Sequence, residues 1–120
     1  MFLNVTNHPS ELWPPAQTAA ALQYGEIRDL PFPAVPPEWD IRKVAALADT
    51  LADDILRLRP AAVLCQGEMT LTYQLVNRLH AAGIPALCAC TERRTEETRL
   101  PTGETKKISV FEFRGFRRYA

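Results

Sequence analysis

From Ala61 to Gly83 an apolar run, a glycine turn and an amphipathic stretch follow one another, and this order limits the fold most. Ala61-Ala62-Val63-Leu64-Cys65 is apolar throughout, the pattern of a strand covered on both faces. Gln66-Gly67 makes the turn. From Thr70 to Ala82, the residues Leu71, Leu75, Leu79 and Ala82 form one helical line, and Gly83 closes the helix. Such a turn leaves the first helical N–H groups unpaired at the strand end, where the helix dipole favours negative charge. An anion site is therefore expected at Gln66-Gly67-Glu68-Met69-Thr70.

The remaining chain repeats the alternation. Phe2-Leu3-Asn4-Val5-Thr6 reads as a central strand ending in the polar turn Asn7-His8-Pro9-Ser10. Pro14-Pro15 suit a helix start, and the Ala-rich segment to Tyr24 stops at Gly25. Glu26-Ile27-Arg28-Asp29-Leu30 reads as a short strand. Residues 31–37 hold four prolines around Phe32 and form neither helix nor inner strand. Asp40 is the expected N-cap of the longest helix, over residues 41–58. Ile41, Val44, Leu47, Ala48, Leu51, Ile55 and Leu58 make its apolar face, and Arg42, Lys43, Asp49, Asp53, Asp54 and Arg57 its solvated one. Ile84 to Cys90 is the fourth strand, with Pro85 near its start.

Residues 1–90 thus form a βαβαβαβ core. The fold class is α/β, a Rossmann-like three-layer fold with a mainly parallel sheet. Residues 91–120 add a C-terminal β-hairpin and a basic arm to what is one domain of 1–120. The hairpin turns at Pro101-Thr102-Gly103-Glu104. Its second arm, Lys107 to Phe113, has Val110 on one face and Phe111 with Phe113 on the other. Such a two-faced strand suits a dimer surface or a covered strand equally.

Charge decides little globally, because the net charge is +0. No general field draws the chain to long nucleic acid. The distribution is uneven: residues 91–120 hold eight of the 14 Lys and Arg but five of the 14 Asp and Glu. That basic end suits a phosphate ligand, an acidic face of a second copy, or plain solvent. Three cysteines, Cys65, Cys88 and Cys90, fit small buried residues in a reducing cytoplasm better than a disulfide framework or a metal site. No segment suits a membrane span, and no cleavable signal precedes the first strand.

In open α/β sheets ligands bind beyond the carboxyl ends of the strands. Four polar clusters are expected there: Asn7, His8 and Ser10; Phe32 and its prolines; Gln66, Gly67, Glu68, Met69 and Thr70; and Thr91, Glu92, Arg93 and Arg94. If the first and third strands are neighbours, their loops face each other across a crevice with the arginines beside it. Helix N–H groups and guanidinium forks suit phosphate, amides and hydroxyls suit sugar or base edges, and Phe32 or Trp13 suits base stacking. No GxGxxG, GxxxxGK[ST] or HExxH occurs, so no dinucleotide fingerprint, P-loop or zinc motif is present, and no metal or cofactor is expected. Each residue also has a plain structural role. His8 suits a turn, Ser10 and Thr70 a cap, Glu68 the positive helix end, Met69 packing, and Arg93 and Arg94 surface ion pairs.

Asn7-His8-Pro9-Ser10, Tyr24-Gly25-Glu26-Ile27, Asp29-Leu30-Pro31-Phe32-Pro33, Gly67-Glu68-Met69-Thr70, Thr91-Glu92-Arg93 and Phe111-Glu112-Phe113 with Phe116-Arg117 follow one another in an order that resembles a known family. It is that of small stand-alone CRISPR-associated proteins of type III loci, which carry a minimal CRISPR-associated Rossmann-fold (CARF-like) domain. The likeness runs from about residue 3 to residue 119. It implies a cyclic oligoadenylate ligand, most often the four-membered ring, and either sequestration of this second messenger or its cleavage by a metal-independent ring nuclease. A ring with two-fold symmetry suits two copies of one site, so a homodimer or larger ligand-driven assembly is expected. For cleavage, His8 is the candidate base or acid and Arg93 or Arg94 the candidate cation. With His8 the one side chain of these clusters that titrates near neutral pH, the reading favours binding. An interaction module with an empty crevice is the reading from another class.

Overall fold

The computed structural model describes residues 1–120. Strand β1 (Phe2–Val5) and strand β2 (Ile27–Asp29) are joined through a 3-10 turn at Ser10–Leu12 and helix α1 (Pro15–Leu22). Helix α2 (Ile41–Leu58) leads to β3 (Ala62–Cys65), and α3 (Met69–Ala81) leads to β4 (Ala86–Arg99). Strand β5 (Thr105–Arg118) ends the fold. The sheet order is β2-β1-β3-β4-β5, parallel throughout except for the antiparallel β4–β5 pair. Strands β1 and β3 are neighbours, the condition on which the crevice depended, and pair from Phe2↔Ala62 to Val5↔Cys65. From β1 the chain winds first to one side and later to the other, so the topological switch point lies between β1 and β3.

Alternation along the strands separates two apolar layers. Leu3, Val5, Val63, Cys65 and Ala86 face α2 and α3, which contribute Val44, Ala48, Leu51, Ile55, Leu71, Leu75 and Leu79. Phe2, Ala62, Leu64 and Leu87 face the other way, against Ala21 of α1 and Trp13. Right-handed crossovers require this split, because α1 returns the chain to one side of β1 while α2 and α3 carry it to the other. Asp40 caps α2 as its sequence predicts, accepting from the Lys43 N–H at 3.1 Å. The helix closes on Arg59 in a left-handed conformation just before Pro60, which cannot continue it. Ile41 departs from the expected apolar face and is exposed, and Ala52 is buried instead. Asp49 is not merely solvated, for it receives the Arg78 Nε–H at 2.7 Å and ties α2 to α3.

The largest departure from the sequence reading is in β4. The strand does not end at Cys90 but continues to Arg99, paired residue by residue with β5 from Leu87↔Arg118 to Arg99↔Thr105. Only Ala86 and Leu87 of β4 pair with β3. Beyond Leu87 the two strands pair only with each other, as an antiparallel ribbon whose base packs on the core, and the molecule measures 57 Å along its longest axis. A register shift lies between Cys90 and Thr91, opposite Arg114 and Gly115. This bulge gives β5 one extra residue. It brings Phe113 and Phe116 to the same side, with ring centroids 5.0 Å apart, and Phe116 in turn packs on Phe2 at 5.0 Å. Gly115 sits at the bulge with φ +154°, a backbone conformation that strains a residue with a Cβ.

Candidate functional site

A cleft of about 640 Å³ opens on the α1 side of the sheet, at the carboxyl ends of β1 and β3. Thr6, Asn7 and His8 line it from the β1 loop, Trp13, Pro14 and Gln17 from the start of α1, and Leu64, Gln66 and Gly67 from β3 and its turn. The ribbon supplies the last wall with Ala89, Thr91, Phe111 and Phe113. The volume lies within the roughly 300–1,000 Å³ usual for small-molecule sites. Every lining side chain but His8 is neutral at all ordinary pH, and no Lys or Arg is among them.

The β1 loop is held in place by a buried asparagine. Asn4, 1% exposed, donates through Nδ2 to Asp29 Oδ1 at 3.0 Å and to the His8 carbonyl at 2.9 Å. Its Oδ1 accepts from the Thr6 hydroxyl at 2.8 Å. The same His8 carbonyl accepts from the Trp13 indole at 3.1 Å. These bonds satisfy a polar side chain inside an apolar strand, which would otherwise cost several kcal/mol. They also leave the His8 and Asn7 side chains on the cleft. Across the cleft, Gln66 Oε1 accepts the Ala89 N–H at 2.8 Å, so this side chain continues the β3–β4 junction past the end of β3.

Five sequence-derived candidates, Asn7, His8, Gln66, Gly67 and Thr91, come together on this cleft. The others go elsewhere. Ser10 is bound to Asp29, which accepts both its N–H at 3.2 Å and its hydroxyl at 3.1 Å. Phe32 is no stacking surface: it is buried in the α2–α3 layer with its ring against Gly67. A Cβ at Gly67 would fall 2.4 Å from that ring, so the glycine makes room for Phe32 and not for a phosphate.

The expected anion site is occupied from within. Glu68, not Thr70, caps α3, its carboxylate accepting from the N–H groups of Thr70 at 3.0 Å and Leu71 at 2.8 Å. The Thr70 hydroxyl adds a further bond at 2.7 Å, and this hydroxyl first, then the two N–H groups, hold the Glu68 carboxyl below its usual range. Met69 is exposed and lines a separate cavity of about 340 Å³ with Thr72, Tyr73, Val76 and Tyr119. That cavity shares only Gln66 and Gly67 with the cleft.

Glu92, Arg93 and Arg94 lie on the ribbon and not in a loop, because β4 continues through them. Arg93 donates to the Ser109 hydroxyl at 3.0 Å, Arg94 pairs with Glu96 at 2.9 Å, and Glu92 pairs with Arg114 at 3.0 Å. The ion pairs are exposed and add little stability. Arg93 stands two residues beyond Thr91, on the cleft side of the ribbon and opposite Phe111.

Sequence reasoning missed Thr6, Pro14, Gln17, Leu64, Ala89, Phe111 and Phe113 as cleft residues. One signal was present for the support beneath them, since Asn4 interrupts an otherwise apolar strand and such a residue needs buried partners. No group of three or more His, Cys, Asp and Glu side chains is placed to hold a metal ion. Cys65, Cys88 and Cys90 are all free thiols, and burial raises that of Cys65 to about 12. No helix is long and apolar enough to cross a membrane.

Residues 1–117 match the sequence model of a family described as "uncharacterized protein MJ1673 family". No curated protein and no solved structure matches the chain.

Proposed function

We propose that this chain, which belongs to the MJ1673 family, binds a cyclic oligoadenylate in the cleft and sequesters it, dampening type III CRISPR signalling. The observation that carries the reading is the lining: aromatic rings and neutral amides at a topological switch point, with no fixed cation. A purine base is planar, neutral and edged with donors and acceptors, so it suits walls such as Trp13, Phe111 and Phe113 with Asn7, Gln17 and Gln66 between them. The order of short motifs from Asn7-His8-Pro9-Ser10 to Phe116-Arg117 supports the same ligand.

In this arrangement the bases enter and the phosphates stay at the mouth. Arg93, on the cleft side of the ribbon, would meet them there on leaving the Ser109 hydroxyl. The four-membered ring has two-fold symmetry, so two copies each supply one cleft. Holding is favoured over cutting because His8 is the sole titratable side chain of the lining. In-line attack of a ribose 2′-OH requires both a proton acceptor and charge stabilisation at the departing oxygen.

Trp13 gives the test a built-in probe. With Trp39, the other tryptophan, replaced by Phe, the remaining indole lies on the cleft wall. Titration with cyclic tetra-adenylate is expected to change its fluorescence saturably, at sub-micromolar ligand. No change, with no retention of labelled ring on a filter, contradicts the proposal.

A further inference from the structure

We infer that Gln17 reads the hydrogen-bonding edge of the base held in the cleft, and so sets which base the protein accepts. Gln17 is 6% exposed, lines the cleft, and its side-chain amide makes no hydrogen bond within the chain. The amide nitrogen and oxygen are not sealed off, for the one fully buried side-chain atom without a partner is Thr72 Oγ1. The amide therefore keeps some accessible surface on a residue that lines the cleft.

The local sequence explains why the amide is free. Gln17 is the third residue of α1, and Pro14 is its N-cap. A glutamine at that position ordinarily turns back to the N-cap N–H. Pro14 has no N–H to offer, so the side chain has no partner at its own helix end. Trp13, beside the same turn, is already committed to the His8 carbonyl. The amide therefore presents an acceptor and a donor side by side to whatever enters between Trp13 and Phe113.

Paired donor and acceptor on an amide match the adjacent amino group and ring nitrogen of adenine, N6 and N7, in a bidentate bond. A base with an oxygen at that position, such as hypoxanthine, presents two acceptors and loses one of the two bonds. The inference rests on the ligand reading above and adds the residue that makes it selective.

The test compares cyclic tetra-adenylate with cyclic tetra-inosinate on the wild-type protein and on Gln17→Met, which keeps the volume and removes the amide. Wild type is expected to prefer the adenine ring by about tenfold or more, and Gln17→Met to bind it more weakly with the preference gone. Thermal unfolding without ligand supplies the second readout. Removing an unpartnered amide is expected to leave the midpoint unchanged or to raise it. A preference retained in Gln17→Met, or a marked drop in its midpoint, overturns the assignment while the ligand reading stands. Failure of wild type to bind cyclic tetra-adenylate overturns both.

Discussion

Gly67 shows how one position can suggest one kind of chemistry and serve another. A glycine between a strand and a helix is the usual mark of close phosphate approach. Here it admits the Phe32 ring, thirty-five residues away along the chain. Gly67→Ala forces that ring out of its place, and a loss of about 1–3 kcal/mol is expected in urea unfolding. Glu68 carries the second lesson at this scale. Its carboxylate satisfies the first turn of α3, so Glu68→Ala is expected to lose on the order of 1 kcal/mol as a lost cap does. The folded carboxyl titrates below the ordinary 4.5. Its contribution is therefore complete above pH 4.5 and disappears as pH falls through the depressed value. Wild type and Glu68→Ala should converge in acid and differ at neutral pH. The place of Glu68 at the positive helix end was legible locally, whereas that of Gly67 was not, because Phe32 and Gly67 meet only once the sheet is built.

Helix ends and strand neighbours were the legible elements. Asp40 before an apolar line, and Arg59-Pro60 after it, mark α2 to the residue. Alternating short strands and helices mark a mainly parallel sheet but not its strand order, so the β1–β3 adjacency comes from the structure. The end of β4 was not legible, because Thr91 to Arg99 has no apolar alternation. Those residues are held in strand by backbone pairing with β5, with exposed cross-strand pairs such as Glu92–Arg114 and Glu97–Lys107 adding little. Gln17 was hidden for a related reason: a glutamine among alanines reads as solvated until its neighbours close over it. The chain end is pinned by Tyr119, whose hydroxyl donates to the Cys65 carbonyl at 2.6 Å. Desolvation first, then the neighbouring Cys65 and Cys88, raise this phenol to about 12. A raised phenol contributes stability that is complete below its ordinary value of 10 and lost as pH rises through about 12. Tyr119→Phe should lose about 0.5–1.5 kcal/mol at neutral pH and show a shallower alkaline decline in denaturant titrations.

On the scale of the whole molecule, the ribbon is the feature that a lone copy explains least. Two strands without a third are at best marginally stable in water, and here they carry Ile108 and Phe111 exposed. Phe111 is 68% exposed yet lines the cleft, so a ligand held there would rest on the ribbon. A second copy across a two-fold ring would cover it. Light scattering after size exclusion is therefore expected to give at least twice the chain mass of 13.5 kDa with cyclic tetra-adenylate present. A ligand-bound monomer would remove the shared site from the account. The central claim, that the cleft holds the ring and does not cut it, is tested most directly by a single-turnover experiment. Labelled cyclic tetra-adenylate is incubated for hours with the protein in excess, and the nucleotides are then separated. Retention of the ring in intact form is the predicted result. Linear oligoadenylate products, or a ring that the protein never retains, would contradict it.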